Sequence, residues 1–407
     1  MLIHPIRGIH FNPRAIDPAD VVIPPYDAIA KDKEAVYLKR SPYNFAHIIL
    51  PNPQDPDYAA AATRLGHWKG SGILTEDTKA SYYLYRQTFL IGSHSHTRDT
   101  LMCAVALHEF KDGVVRPHEN TYQKYRSDRL KILRNTRHQL SHVFGMVKDK
   151  RGVLAEMFER WCFEKPVLSA TSDDGVAHQL WKVDGDIHSA ALNTFFEGNP
   201  IYIVDGHHRY GSSLEYAKEV GALGDDKKPA GQMLFCISNV FDPALIVFPT
   251  HRMLKTIDEA QWEKSISGLT QYPLTHDALK EFVNTPQLQP KFALYHNGQL
   301  TLCAPKNASS QNGEWGKSVA QLAVAWSDWE MLPALGINDA NRSEAVFYER
   351  DIEQAWAMKN KFPATVFHAP VPVERVCDVA DEGKFMPQKT TYFYPKLAAG
   401  LVIRSIA

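Results

Sequence analysis

The chain has 407 residues, and its 45 Lys and Arg side chains almost balance 46 Asp and Glu, for a formal net charge of −1. Hydrophobic residues make up 44% of the composition and charged residues 22%, which excludes a disordered chain, a collagen-like repeat and a disulfide-rich miniprotein. Because the net charge is close to zero, overall charge gives no support for a nucleic-acid or anionic-membrane partner.

The five cysteines lie far apart and form no Cys-x-x-Cys pair, which argues against a zinc knot and against a secreted disulfide framework. We expect them to be mainly small core residues in a reducing compartment. The chain does not open with a basic region followed by an apolar stretch, and no run approaches the roughly 18 apolar residues of a membrane span. The sequence therefore predicts a soluble, cytoplasmic protein.

Runs rich in β-favouring residues alternate with segments of helical periodicity along the chain. Strands are predicted over 2–11, 82–89, 100–110, 166–186, 201–204, 234–240, 244–249 and 364–368. Helices are predicted over 57–71, 127–140, 152–163, 189–196, 210–220 and 352–361. Segment 92–97 is predicted to be a hairpin connection, so we expect His94 and His96, despite a spacing typical of metal ligands, to have no function. This mixture predicts an α/β or α+β fold.

The most informative segment begins with the predicted buried strand 201–204 and continues through Asp205, Gly206 and Arg209. Gly206 permits a tight turn, and we expect the following helix to begin near Tyr210. The free N–H groups of that helix start, with Arg209 beside them, would form an anion site. Asp205 could supply acid–base capacity there or help to hold a metal ion.

His207 and His208 complete this turn and add two groups that can exchange protons or contact a phosphate oxygen. The alternative is that Asp205 merely caps the helix and the histidines are solvated polar residues. Four ionisable groups within one short turn favour a phosphate-handling site over that alternative.

A second candidate group lies at His118 and Glu119, after a predicted strand and shortly before a helix that carries Arg129. Glu119 could deprotonate a substrate hydroxyl or orient an imidazole, and His118 could hold a proton or a phosphate oxygen. Arg129 is a further candidate for phosphate or substrate binding. The alternative is a surface loop whose charges are simply solvated.

Two other segments present polar residues after a predicted strand, 21–23 in the first case and 244–249 in the second. Two prolines make a stiff loop that presents Tyr26 and Asp27, although Asp27 could instead cap the next turn. His251 and Arg252 follow the predicted strand 244–249 and could complete a cationic rim around a phosphate.

Near the end of the chain, Gln388 and Lys389 follow a proline and precede a β-favouring run. A loop that delivers a lysine just before a strand can place a compact cation on a phosphate. We therefore include both residues among the candidates for phosphate or substrate binding. The aromatic residues Phe393 and Tyr394 that follow are expected in the core or in a pocket wall.

The strand, the Gly-x-x-Arg turn at 206–209 and the following helix resemble the second conserved box of the ParB/sulfiredoxin superfamily, and 9–14 is similar to a ParB first strand. That resemblance implies a turn that grips nucleotide phosphates. The chain departs from the pattern in two ways. Histidines replace the acidic and basic residues of the ParB turn, and the cysteine of sulfiredoxin is absent, which disfavours a sulfinic-reductase role. The DNA-binding helices of ParB are not recognisable, so a DNA-binding role ranks lowest.

A closer resemblance covers nearly the whole chain. Six segments, in the family's order, identify the protein as a member of the bacterial family catalogued as domain of unknown function 1015: 22–27, 117–121, 127–134, 205–210, 249–252 and 386–397. The two resemblances together imply a ParB/sulfiredoxin-like core with insertions over 1–255, an α/β elaboration over 256–370 and a C-terminal segment, 371–407, that returns to the core.

The Asp-Gly-His-His-Arg turn is also similar to that of archaeal free-serine kinases, which transfer a nucleotide phosphate to the serine hydroxyl. The resemblance implies a small-molecule phosphotransferase that uses ATP or ADP with Mg²⁺ and has a free amino acid such as L-serine as its acceptor. In those kinases the catalytic base is an acidic residue of the N-terminal part, and Asp27 and Glu119 are the candidates here. The alternatives are a nucleotide sensor with slow or no hydrolysis and, below it, a structural scaffold.

Overall fold

The computed structural model describes residues 2–50, 58–120, 123–311 and 313–407. The chain divides into two compact units. Unit 1 consists of Met1–Pro117, Thr121–Leu245 and Pro395–Ala407, and unit 2 consists of His118–Asn120 and Ile246–Tyr394. Each unit contains both helices and strands, which confirms the predicted mixed α/β class.

Strands account for the framework of both units. In chain order they are β1 (Ile3–His4), β2 (Ile9–Phe11), β3 (Leu74–Glu76), β4 (Ser81–Ile91), β5 (His94–Ala106), β6 (Val115–Arg116), β7 (His138–Gln139), β8 (Val143–Val147), β9 (Leu168–Thr171), β10 (Ala177–Asp184), β11 (Ile201–Asp205), β12 (Gln232–Asn239), β13 (Ile246–Phe248), β14 (His251–Leu254), β15 (Leu269–Pro273), β16 (Phe292–His296), β17 (Gln299–Pro305), β18 (Val346–Glu349), β19 (Ala364–His368), β20 (Tyr392–Tyr394) and β21 (Arg404–Ser405).

The helices range from short turns to segments of 14 residues. In chain order they are α1 (Pro18–Val21), α2 (Lys31–Arg40), α3 (Ala46–Ile49), α4 (Tyr58–Gly70), α5 (Gln123–Thr136), α6 (Val153–Trp161), α7 (Gly185–Phe196), α8 (His207–Glu219), α9 (Glu259–Ile266), α10 (His276–Asn284), α11 (Lys317–Ala320), α12 (Ala323–Trp326), α13 (Leu332–Ala334), α14 (Arg342–Ala345), α15 (Ile352–Met358) and α16 (Val373–Asp381). None of these helices combines the length and the apolar character that a bilayer crossing requires.

With one exception, each of the predicted helices and strands has a counterpart in the structure, with ends displaced by up to six residues. The strand predicted over 21–23 is wrong, because Val21 ends helix α1 and Ile23 forms only an isolated bridge with Ala399. The hairpin connection is shorter than predicted. Gly92, at a φ of 57°, and Ser93 alone join β4 to β5, so His94 and His96 lie in strand β5 and not in a loop. Four of the cysteines are buried and Cys162 is half-buried, which confirms their predicted role as core residues.

The main sheet of unit 1 has nine strands in the order β6-β11-β8-β12-β5-β4-β10-β9, with β1 paired to β5. The pairs β11–β6 and β12–β8 are parallel and the remaining pairs are antiparallel. Helix α8 packs on this sheet through Tyr210, whose buried ring meets Phe235 of β12 edge to face with centroids 5.9 Å apart. Strand β11 leads directly into α8, so the sheet fixes where that helix begins.

Unit 2 is built on an antiparallel sheet of six strands, in the order β15-β17-β16-β19-β14-β18, and on the separate pair β13–β20. Successive residues of a strand point to opposite faces of a sheet. Accordingly, Leu254 and Val366 belong to one apolar cluster with Trp326 of α12, whereas Met253 and Phe367 belong to another. The sheet therefore has an apolar core on each face.

Candidate functional site

The turn between β11 and α8 consists of a single residue, Gly206. Its φ of 94° lies in the left-handed region, which glycine adopts without the steric cost of a Cβ atom. Helix α8 therefore begins at His207, three residues earlier than predicted. As a result, His207, His208 and Arg209 occupy the first turn of the helix, and only Asp205 and Gly206 precede it.

Arg209 is the most deeply buried cation of this segment, with 7% of its surface exposed. Its Nη1 donates to the main-chain oxygen of His142, and its Nη2 lies 3.4 Å from Asp205 Oδ2 and 3.8 Å from Asp27 Oδ2. The guanidinium is thus fixed in place through Nη1, while Nε and Nη2 have no hydrogen-bond partner among the described residues.

The carboxylate of Asp205 contacts two cations. Its Oδ1 accepts the N–H of Gly206 at 2.9 Å, and its Oδ2 lies 3.2 Å from Lys396 Nζ and 3.4 Å from Arg209 Nη2. Burial alone would raise the pKa of Asp205, but Lys396 and Arg209 hold it well below its usual value. Asp205 is therefore ionised throughout the physiological range.

Lys396 was missing from the residues predicted for this site. It lies within segment 386–397, which carries the family resemblance, but Lys389 is the lysine of that segment that the sequence predicts for the site. Lys396 follows a proline, as the predicted Gln388–Lys389 pair does, and this was the only local signal for it. The structure assigns Lys396 to unit 1 and Lys389 to unit 2.

The N-terminus of α8 adds main-chain donors to this cluster. The helix has 13 residues, and its N-cap, Gly206, has no side chain that could accept a hydrogen bond from the first turn. The first N–H groups of a helix have no intrahelical partner, and the helix dipole makes that end partially positive. Together with Arg209, this end of α8 has the chemical character of an anion-binding site.

The two histidines of the turn differ in exposure. His207 is 6% exposed, and His208 is half-buried. Burial lowers the pKa of His208; Asp27 opposes this effect, and Arg126 and Arg209 reinforce it. His208 is therefore mainly neutral at pH 7, so it carries one N–H donor and one lone pair.

Tyr26, Asp27 and Arg129 also belong to the cluster in unit 1. Asp27 contacts Arg209 and keeps 39% of its side chain exposed. Tyr26 lies beneath Arg129, whose guanidinium carbon is 3.9 Å from the ring centroid. Burial, assisted by the charge of Asp27, raises the pKa of Tyr26 to about 12, so this phenol stays protonated. Arg129 also donates to Asp128 and to the main-chain oxygen of Ile49.

An open cavity of unit 1 adjoins Arg209 on the side of α5 and α8. It has about 390 Å³ of empty space, part of it open to solvent. Its wall is largely apolar, with Ile132, Leu133 and Met233, and includes Ser212 and Ser213 on α8. A cavity of this kind beside an anion-binding helix end can accommodate the non-ionic part of a ligand whose charged part binds at the turn.

Four other predicted residues lie in unit 2: His118, Glu119, Gln388 and Lys389. His118 is 1% exposed, and its Nε2 is 3.3 Å from Thr391 Oγ1, while its main-chain oxygen accepts the N–H of Met386 at 2.8 Å. Glu119, which follows it, is half-buried. Segment 118–120 is thereby attached to the segment that contains Gln388 and Lys389. Lys389 is exposed and has a φ of 59° in a turn.

His251 and Arg252 were predicted to form a cationic rim, but the structure buries them, with 0% and 1% of their surfaces exposed. Arg252 contacts Asp328 through Nε at 3.1 Å and Nη2 at 3.2 Å, and its Nη2 also donates to the main-chain oxygen of Gln388 at 3.3 Å. Burial and the charge of Arg252 lower the pKa of His251 to about 3. Because strand β14 buries both side chains, they do not form the predicted cationic rim.

A Mg²⁺ ion has few protein ligands available at the turn. Among the described residues there is no group of three or more His, Cys, Asp or Glu side chains that could hold a metal ion. Asp205 and Asp27 nevertheless both approach Arg209. Magnesium in nucleotide sites is commonly bound by one or two carboxylates together with phosphate oxygens, so the residues present fit the ion only in company with a phosphate ligand.

The fold and this cluster define a mixed α/β protein in which a buried arginine lies at the junction of a strand and a helix. Residues 3–325 match the family described as protein of unknown function (DUF1015), and the chain belongs to this family. No curated protein sequence matches the chain.

Several solved structures resemble the chain at low identity. A conserved hypothetical protein from Pyrococcus furiosus is 15% identical, with a TM-score of 0.37, over 74% of this chain and 95% of that one. A free serine kinase in complex with AMP is 14% identical, with a TM-score of 0.39, over 74% and 92% of the respective chains. SbnI with a C-terminal truncation, from Staphylococcus aureus, is 10% identical, with a TM-score of 0.37, over 73% and 85%. With such scores, none of these likenesses assigns chemistry to this chain.

Proposed function

We propose that the protein is a small-molecule phosphotransferase that binds a nucleotide at the junction 205–209 and transfers a phosphoryl group to a free amino acid such as L-serine. The observation that carries this proposal is the buried guanidinium of Arg209, which is held beside the uncapped N-terminus of α8 and whose Nε and Nη2 have no hydrogen-bond partner among the described residues. Buried charged donors beside a helix N-terminus are suited to bind phosphate oxygens. The ParB/sulfiredoxin-like core that the sequence resembles would place the nucleotide phosphates at the same turn.

Phosphoryl transfer depends on charge neutralisation and on in-line positioning more than on a covalent nucleophile. In the proposed site, Arg209 and the N–H groups of α8 bind phosphate oxygens, and neutral His208 donates its N–H to a further oxygen. The apolar cavity beside Arg209 receives the nucleoside. Asp205 would hold Mg²⁺, which neutralises phosphate charge when it is bound with the nucleotide.

The acceptor class rests on the resemblance of the turn to that of the archaeal free-serine kinases. In the proposed reaction the acceptor oxygen attacks the terminal phosphorus, a carboxylate takes the hydroxyl proton, and the nucleotide leaves one phosphate shorter. Asp27 and Glu119 are the candidates for this base. Asp27→Asn and Glu119→Gln distinguish them, because loss of the base lowers kcat strongly and leaves nucleotide affinity nearly unchanged.

The first test is an assay of the full-length chain with ATP or ADP, Mg²⁺ and a panel of free amino acids, with phosphorylated products detected by mass spectrometry. We expect phosphoserine to form. Arg209→Lys should weaken nucleotide binding at least about tenfold, because lysine replaces the guanidinium fork with a single point charge.

Arg134→Lys is the matched control, since Arg134 is an exposed arginine of unit 1 that pairs with Glu219 through two hydrogen bonds. We expect it to leave nucleotide affinity unchanged. No phosphorylated amino acid with either donor would contradict the phosphotransferase, and equal nucleotide affinity in the two variants would contradict the assignment of the phosphate site to Arg209.

A second candidate function is a nucleotide sensor that uses the same turn. It is favoured by the pairing of Asp205 with both Lys396 and Arg209, which already neutralises the carboxylate that would otherwise hold the metal ion. Calorimetric titration together with a turnover assay separates the two functions. Tight nucleotide binding without acceptor-stimulated consumption would favour the sensor.

A further inference from the structure

Unit 2 contains a cavity of its own, which we call the His368 cavity. It has about 370 Å³ of empty space, part of it open to solvent. Its wall includes His368 at the end of β19, the residues 369–372 that follow, Arg252 of β14, Lys291 and Gln321. None of these residues belongs to the cluster around Arg209, and the function proposed for that cluster does not use the cavity.

His368 is 3% exposed, and it lacks one of its two hydrogen bonds. Its Nε2 lies 3.2 Å from Ser327 Oγ, whereas its Nδ1 has no hydrogen-bond partner among the described residues. A buried polar atom without a partner is costly, so it marks a place where a ligand or a water would complete the structure. Burial, with the charge of Arg252, lowers the pKa of His368 well below its usual value, so the ring is neutral.

The hydrogen bonds of Ser327 indicate which nitrogen of His368 carries the proton. The Ser327 hydroxyl has one proton, and two acceptors other than His368 lie near its oxygen: Asp328 Oδ1 at 3.0 Å and the main-chain oxygen of Val324 at 3.1 Å. Because a carboxylate is the stronger acceptor, the hydroxyl donates to Asp328 and its oxygen accepts the Nε2–H of His368. The Nδ1 atom is then left with a lone pair, which calls for a hydrogen-bond donor on the ligand.

Positive charge lies in the cavity wall and behind it. Arg252 of the wall and Arg342, which is not a wall residue, share the carboxylate of Asp328, with Arg342 Nη1 at 2.9 Å from Oδ2. Among the described residues, Arg342 has one other acidic partner, Asp339, which is 84% exposed and lies 3.9 Å away. Lys291 adds a further positive charge, and no Asp or Glu occurs among the described residues of the wall. A ligand with a negative charge would therefore be attracted to it.

A helix N-terminus adjoins the same wall. Helix α16, with nine residues, begins at Val373, directly after the wall residues 370–372. Its N-cap, Pro372, makes no side-chain hydrogen bond to the first turn. The partially positive end of α16 thus supports an anionic group on the side of the cavity that 370–372 forms.

From these observations we infer that the His368 cavity binds a small 2-hydroxy or 2-amino acid. The carboxylate of the ligand lies toward Lys291 and the N-terminus of α16, and the neighbouring hydroxyl or amino group donates to Nδ1 of His368. The amide of Gln321, on the same wall, is available to the polar groups of the ligand. Simple anions satisfy the charge of the wall but leave His368 without its donor.

The test is calorimetric titration of the full-length chain with L-lactate, L-alanine and propionate, which share a three-carbon skeleton. Propionate lacks the donor at the second carbon. We expect L-lactate or L-alanine to bind at least about tenfold more tightly than propionate, the difference made by one buried hydrogen bond. None of the three carries the serine hydroxyl, so the result does not depend on phosphotransferase activity.

Two variants assign the binding to this cavity. His368→Gln keeps an amide that can reach Ser327 and removes the Nδ1 acceptor, and Lys291→Met removes the charge at the wall. Both should weaken binding about tenfold or more. Lys361→Met, at an exposed lysine of unit 2 outside the wall, should leave binding unchanged. No binding of L-lactate or L-alanine, equal affinity for propionate, or unaltered affinity in both Lys291→Met and His368→Gln would overturn the inference.

Discussion

Lys396 neutralises part of the negative charge of Asp205. With Lys396 at 3.2 Å and Arg209 at 3.4 Å, the carboxylate is surrounded by cations before any ligand binds. A bare carboxylate beside the N-terminus of α8 would repel a phosphate. Lys396 compensates for that repulsion, so its contribution to phosphate binding is electrostatic and indirect.

We predict that Lys396→Met lowers the affinity for ATP or ADP about tenfold, because Asp205 then repels the phosphates with only Arg209 to balance it. Calorimetric titration measures the effect. Lys182→Met is a matched control, since Lys182 pairs with Asp77 at 2.8 Å in the same unit and its loss also removes an ion pair. If both variants keep the affinity of the unaltered protein, Lys396 has no part in the site.

Residue chemistry explains which members of this cluster were predictable. Asp205, Arg209 and Asp27 occupy short polar segments that follow a strand or a proline pair, and such segments are visible in the sequence. Lys396 contacts Asp205 across 191 positions of the chain, a pairing that only the folded protein creates. The oxygen of His142 that holds Arg209 is a main-chain atom, and no residue type signals its role.

The junction of β11 and α8 shows how one element boundary changes a site. The polar run 205–209 has the composition of a turn, so the helix was predicted to begin near Tyr210. A single left-handed glycine completes the reversal, and the helix begins at His207. Arg209 therefore takes its direction from the first turn of a helix. An ideal Cβ atom on Gly206 would lie 3.1 Å from both Cζ and Nε of Arg209, so this glycine also leaves space for the guanidinium.

We predict that Gly206→Ala has two separable effects. The left-handed conformation of the backbone should cost about 1 kcal/mol or more of unfolding free energy, and the new methyl group should displace Arg209 and weaken nucleotide binding. Gly198→Ala provides the control, because Gly198 has a φ of 77° and no atom within 4 Å of its Cβ position.

Urea denaturation and nucleotide titration of the two alanine variants measure these effects. Both should lose stability, and only Gly206→Ala should lose affinity. Equal nucleotide affinity in the two variants would mean that the guanidinium does not depend on the space that Gly206 provides.

For the molecule as a whole, local sequence patterns predicted the class of fold and the individual elements better than their arrangement. Runs of β-favouring residues located strands such as β12 and β19, because residue composition is a property of a few neighbouring positions. The position of β14 between β19 and β18 depends on segments more than 90 residues apart along the chain, and no local pattern encodes it. The buried state of His251 and Arg252 follows from that position, which is why the sequence suggested a surface rim.

Both units also bury histidines that remain neutral. Burial lowers the pKa of His142 to about 3 and of His178 to about 4 in unit 1. In unit 2 it lowers the pKa of His251 to about 3 and of His368 well below its usual value. In the unfolded chain each of these groups would titrate near pH 6.5, so unfolding takes up protons below that pH.

We therefore predict that the free energy of unfolding is highest above pH 6.5 and falls as the pH is lowered from 6.5 toward 5. Each buried histidine contributes up to about 1.4 kcal/mol per pH unit to this slope, because the unfolded state binds one more proton than the folded state. Urea denaturation between pH 8 and pH 5 measures the slope. His178→Gln should reduce it by up to about 1.4 kcal/mol per pH unit, since one of these protons is no longer taken up. A slope of zero would show that these rings are already protonated in the folded protein. A slope that His178→Gln leaves unaltered would show the same for His178, whose ring would then need a charged partner in place of Tyr85 and Ser172.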